Sequence, residues 1–105
     1  MAELDPIIHQ PARLRIMAAL VALAPGEKVE FTWLRDSLAL TDGNLGAHLL
    51  KLEEARYLRI EKAFVARKPV TWAAATSKGR GAFEDHVVAL KAILNTKVNR
   101  KLIDK

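Results

Sequence analysis

The sequence predicts a mainly α domain with one small β-hairpin, an α+β arrangement ordered helix, strand stub, helix, helix, hairpin, helix. Three observations predict it. Apolar residues recur at helical spacing in three stretches: Leu14, Met17, Leu20 and Val21; Leu45, Leu49 and Leu52; and Phe83, Val87, Leu90 and Leu94. Between the last two stretches the period shortens to alternation: Leu58 and Ile60 against Arg59 and Glu61, then Thr71, Ala73 and Ala75 against Val70, Trp72 and Ala74. Caps and breakers stand at the boundaries, with Pro11, Pro25-Gly26, Thr41, Pro69 and Thr76 each next to a change of period.

Each element follows in order. Asp5 can cap a short turn through Ile7, and the first main helix starts at Pro11, where a missing N–H does no harm. It stops before Pro25-Gly26. Val29-Glu30-Phe31 is long enough only for a stub of strand. Thr32 is expected to cap a short helix with Trp33, Leu34 and Leu38 apolar, and Ala39-Leu40 is a brief link. Thr41 is an N-cap, with Asp42 in the first turn where negative charge suits the helix dipole. That helix runs to about Ala55. Two helices joined so briefly outline a helix-turn-helix. The two alternating runs enclose Ala66-Arg67-Lys68-Pro69, a basic turn at the tip of a hairpin. Thr76 caps the last helix, and the polar, basic tail beyond it frays. The result is one domain over 1–105: a core over about 5–75, a C-terminal helix over 76–95 and a tail over 96–105. This is the order of a winged helix-turn-helix with an added C-terminal helix.

Composition narrows the function. Half of the 105 residues are apolar, and 17 Lys and Arg exceed 12 Asp and Glu, for a net charge of +5. A basic excess favours a polyanionic partner, and its placement matters more than its sum. With no Cys there is no disulfide frame, no thiolate zinc site and no thiol nucleophile, and a reducing cytoplasm is expected. The longest apolar stretch, Ile16 to Pro25, is too short to span a bilayer, and the N-terminus lacks the regions of a signal peptide. Ser37 and Ser77 have no motif around them, no glycine-rich phosphate loop is present, and no paired carboxylates suggest catalysis. His9, His48 and His86 sit on different elements without ligand spacing. No catalytic residue, metal site or cofactor is expected, and a small-molecule effector is left unassigned.

The run Leu40-Thr41-Asp42-Gly43-Asn44-Leu45, with His48-Leu49 and Lys51-Leu52-Glu53-Glu54-Ala55, resembles the MarR/ArsR-like winged-helix transcriptional regulators, and within them a compact group of about a hundred residues. The opening His9-Gln10-Pro11 with Arg13-Leu14 and Ile16-Met17 is similar to that group's start. Phe64 with Arg67, Pro69 and Thr71 is similar to its wing, and Thr76 with Gly79-Arg80 and Ala82-Phe83 to the start of its final helix. The likeness spans about Leu4 to Leu94 and implies a DNA-binding regulator that dimerises through its terminal helices. Arg56 stands where a Gly normally ends the recognition helix, and Ala73 and Ala75 where bulky strand residues are usual.

The chemistry of the stretch agrees. A recognition helix needs an apolar side to anchor it and a polar side to reach base edges. With Leu45, Leu49 and Leu52 inward, the other side presents Gly43, Asn44, Ala47, Leu50, Lys51 and Glu54. Asn44 can bond adenine twice, and Lys51 can meet guanine or phosphate. Gly43 and Ala47 permit close approach, Thr41 and the helix N-terminus suit a phosphate, and Asp42 is counted with them on the DNA-facing side. His48 either joins this surface or bonds locally. Arg67 and Lys68 at the hairpin tip are the electrostatic candidates, with Arg56, Arg59, Lys62, Lys78 and Arg80 crowding the same part of the sequence. Phe83, Val87, Leu90 and Leu94, widened by Val88 and Ile93, suggest a homodimer. The expected function is transcription regulation on double-stranded DNA. The alternative is a winged-helix module that binds another protein, which the weak base-reading residues Gly46, Ala47 and Leu50 keep open.

Overall fold

The computed structural model describes residues 3–96. Its elements are α1 (Pro11–Val21), β1 (Val29–Glu30), α2 (Phe31–Leu38), α3 (Asp42–Glu54), β2 (Leu58–Val65), β3 (Lys68–Ala75) and α4 (Ser77–Leu94). This is the predicted order, α+β with the C-terminal helix present. The tail expected to fray lies, beyond Thr96, outside the described residues.

The predicted caps are in place at three helices or turns. The Asp5 carboxylate accepts from the amides of Ile7 and Ile8, closing the turn ahead of α1. Thr41 Oγ1 accepts from the Asn44 amide at 3.1 Å, and Thr76 Oγ1 from that of Gly79 at 3.0 Å. At α2 the expectation fails. Phe31 opens this helix instead of ending the strand, and Thr32 lies inside it, its hydroxyl donating to Glu30. Glu30 holds the cap position without a side-chain bond because the strand runs straight into the helix.

The stub β1 joins β3, giving an antiparallel sheet ordered β1-β3-β2, with Val29 opposite Ala73 and Glu30 opposite Trp72. β2 and β3 pair from Leu58–Ala75 to Val65–Lys68. The turn between them is therefore Ala66-Arg67 alone, and Lys68 and Pro69 belong to the strand. Both turn residues have positive φ, 50° and 68°, the geometry whose twist suits a two-residue hairpin. In such a ladder the pair flanking the turn is hydrogen-bonded and the next is not. Pro69, opposite Phe64, thus points its missing N–H away from β2, where no bond is lost.

The core gathers Ile8, Ile16, Met17, Leu20, Leu34, Leu45, Leu49, Leu52 and Leu58 with Ala73 and Ala75. The two alanines replace bulk with close approach, both being almost fully buried. At Gly79 a Cβ would stand 1.9 Å from the Tyr57 carbonyl oxygen, so only glycine lets α4 meet the start of β2.

Candidate nucleic-acid interface

Thr41 and the anchoring leucines orient α3. Leu45, Leu49 and Leu52 lie at 0%, 4% and 0% exposure, so the opposite side must face outward. Thr41, Asp42, Gly43, Asn44, Ala47, Leu50, Lys51 and Glu54 are all exposed. The helix ends in a left-handed turn: Arg56, at φ 64°, lets its own amide reach the Glu53 carbonyl and that of Tyr57 reach Leu52. Arg56 thus adopts the conformation that a glycine would adopt more easily there. Ala39, at φ 54°, closes α2 in the same manner before the turn into α3.

Two of the predicted α3 residues have local partners. Asp42 pairs with Arg35 at 2.9 Å, which also holds Asp36, so the acid at the helix start is neutralised by a cation from α2. These bonds raise the Arg35 guanidinium above its ordinary range. His48 is half-buried on the side of α3 toward α1, its Nδ1 3.3 Å from Arg13. Burial first, then the Arg13 charge, lowers its imidazole below the usual value. No local sequence signal points to Arg35, because its pairing joins two helices across a turn.

Between α3 and the sheet runs a groove of about 340 Å³ lined by Phe31, Leu49, Leu50, Ile60, Lys62 and Thr71, with Gly46 and Glu53 also on its wall. It establishes which face of the hairpin meets α3. Side chains alternate along a strand, so Ile60, Lys62, Phe64, Pro69 and Thr71 share the groove face. Lys68 falls on the other face with Val65, Val70 and Trp72, while Arg67 occupies the turn itself.

The crowd of cations expected near the wing divides, a correction that strand alternation and long-range bonding explain. Arg59 pairs with Glu61 on the far face, where Lys28 also bonds Glu61 at 2.8 Å and lies 5.1 Å from the Trp72 ring centre. The Lys28 bond, with Arg59 adding to it, lowers the Glu61 carboxyl. Arg80 donates to the carbonyls of Val21 and Leu23, satisfying the end of α1. Lys78 lies over the Tyr57 ring. Lys62, Arg67 and Lys68 stay exposed on the hairpin, and Arg56 beneath it.

On α4, Gly79, His86 and Ala89 are the buried residues. Phe83 packs against the domain's own core, Val87 and Leu90 are half-buried, and Val88, Ile93 and Leu94 are 59%, 48% and 57% exposed. The predicted stripe therefore straddles the edge between core and surface. His86 was not foreseen as an anchor: its Nδ1 accepts from the Asp5 amide at 2.9 Å, while Tyr57 donates its hydroxyl to the Asp5 carboxylate. Burial, with the Asp5 bond second, pushes the Tyr57 hydroxyl up to about 12. Among the described residues no group of three or more His, Cys, Asp or Glu could hold a metal ion, and no helix is long and apolar enough to cross a membrane.

Comparison with known proteins agrees with this geometry. A family model described as a winged helix DNA-binding domain matches residues 12–94. The chain is 38% identical over 81 residues to an uncharacterized protein of Methanocaldococcus jannaschii, covering 77% of this chain and 85% of that one. A transcriptional regulator homologue from Pyrococcus horikoshii OT3 has a similar structure, with a TM-score of 0.76 at 30% identity over 85% of each chain. AbsC, a MarR family transcriptional regulator from Streptomyces coelicolor, shares the fold at a TM-score of 0.58 and 18% identity, over 85% of this chain and 64% of that one. The chain belongs to the winged helix DNA-binding domain family, with the fold of MarR-like transcriptional regulators.

Proposed function

We propose that this protein is a cytoplasmic transcriptional regulator that binds a specific double-stranded sequence as a homodimer on an inverted repeat. One observation carries the reading: α3 is anchored by three buried leucines, while Gly43, Asn44, Ala47 and Lys51 stand exposed beside a wing with cations at its tip. Asn44 and Lys51 read base edges in the major groove, and Arg67 and Lys68 meet the flanking backbone. Asp42 acts through Arg35, which its carboxylate holds near the start of α3. Val88, Ile93 and Leu94, continuing the Phe83, Val87 and Leu90 stripe, meet a second copy. That dimer places two α3 helices about one DNA turn, roughly 34 Å, apart.

Selection of bound duplexes from a random pool at physiological salt tests the reading, and an enriched inverted repeat is expected. On the selected site, Asn44→Ala changes base preference at one position. Arg67→Ala with Lys68→Ala weakens binding to all sequences and lowers the slope of log K against log salt by up to about 1.8. A pool that shows no enrichment, together with variants that bind as the parent does, would refute it. The apolar lining of the groove, Phe31, Leu50 and Ile60, favours a protein-binding module as the second reading. Under it the same pool enriches nothing.

A further inference from the structure

We propose that the wing carries a wedge: Phe64, backed by Pro69, inserts against a base step in the minor groove beside the site read by α3 and bends the duplex there. The inference rests on the DNA-binding reading above and adds a residue and a deformation to it.

Phe64 is 78% exposed, the most exposed of the large apolar residues described. The chain's other two phenylalanines, Phe31 and Phe83, pack against the core. A phenyl ring left in water forgoes the stabilisation that burial gives those two, so its place near the end of the wing calls for a partner. The register puts Pro69 directly across from it, two apolar rings side by side in the second pair from the turn. Alternation puts both on the face that continues past Lys62 and Thr71, which line the groove beside α3. Phe64 therefore points toward whatever α3 meets.

Charge selects the partner. From residue 62 to residue 71 the wing holds Lys62, Arg67 and Lys68 and no carboxylate. With Lys62 on the ring's own face, Arg67 in the turn and Lys68 on the other face, the wing suits a polyanion with stackable faces better than an apolar protein surface. Minor-groove proteins insert Phe and Pro between base steps and kink the duplex by about 20–90°. The wedge also gives specificity without hydrogen bonds, because pyrimidine–purine steps unstack at lower cost than stiff A-tracts.

The test uses the full chain and a duplex of about 30 base pairs drawn from the selected pool, with dyes at both ends to report bending and with affinity measured over a range of salt. Phe64→Ala removes the cross-strand neighbour of Pro69 but nothing from the core, and should fold as the parent does, which circular dichroism checks. The expected result is a straightened duplex and binding about five- to tenfold weaker at each salt, with the salt slope unchanged. Phe64→Trp should keep the bend, and Arg67→Ala should flatten the slope. A Phe64→Ala protein that binds and bends as the parent does overturns the wedge alone. Loss of self-association in that variant, with bending retained, overturns it by placing the ring on a second copy. Absence of duplex binding by the parent overturns the underlying reading as well.

Discussion

Helix α3 and the wing line the same groove of the protein, yet they are held in opposite ways. α3 has a capped start, a hydrogen-bonded left-handed end and three leucines sunk in the core. The outer wing, from Lys62 to Pro69, has no buried residue and is held by its two-stranded ladder, closed by two non-glycine residues in left-handed conformation. Such a turn lacks the Asn-Gly chemistry that would make it comfortable. Under the proposed function, the difference is a division of labour. A helix that reads base edges must be rigid to a fraction of an ångström, whereas an arm that follows a backbone gains from being able to adjust.

The largest expected effect breaks the comparison if it fails. Leu45→Ala opens a cavity under α3 and should cost about 2–5 kcal/mol in urea denaturation. Phe64→Ala, at the wing, should change stability by no more than about 0.5 kcal/mol. Comparable losses at the two sites would mean that the wing is part of the cooperative core and that the contrast is false.

Much of this was legible in the sequence, for reasons that differ by region. The leucine spacing and the Thr41 and Thr76 caps are local signals, and local hydrogen bonds and burial obeyed them. The two faces of the hairpin are legible from alternation, but its register is not: a basic turn of four residues, Ala66 to Pro69, would set Val65 opposite Val70, whereas the two-residue turn sets it opposite Lys68. Arg80 and Lys78 looked like wing cations because they follow it in sequence, whereas the chain turns at Thr76 and carries them to α1 and Tyr57. Arg35 and His86 could not be placed from the sequence, since their partners, Asp42 and Asp5, are found only once helices dock.

A matched pair of smaller changes sharpens the contrast. Ala39→Gly and Arg67→Gly each relieve a left-handed residue and should each stabilise the fold by roughly 1 kcal/mol. Thermal melts check the stability, and salt titrations of duplex binding check the function. At Ala39, between α2 and α3, the gain should come without loss of affinity. At Arg67 it should come with weaker binding and a flatter salt slope, the mark of a residue kept for its charge despite its backbone. If Arg67→Gly binds DNA as tightly as the parent, the tip has no electrostatic role.

Acid should separate the two regions with the smallest effect. His86 on α4 and His48 on α3 are both held below the ordinary imidazole value, chiefly by burial, whereas the outer wing contains no histidine. At His86 the neighbouring His9 charge acts in the same direction, and Asp5 opposes it. A depressed imidazole favours the neutral ring in the fold, so the unfolded chain takes up the proton first as pH falls through about 6.5. Stability is therefore full above that value and lost as pH drops toward the lowered folded values. Urea midpoints measured at about pH 7.5 and about pH 5.5 should show the decline. His86→Gln, whose carbonyl can still accept from the Asp5 amide, should reduce it. Amide exchange in β2 and β3 near the turn should change less over that range than exchange in α4. A wing that loosens first in acid would place the sensitive packing at the tip and reverse the contrast between the two regions.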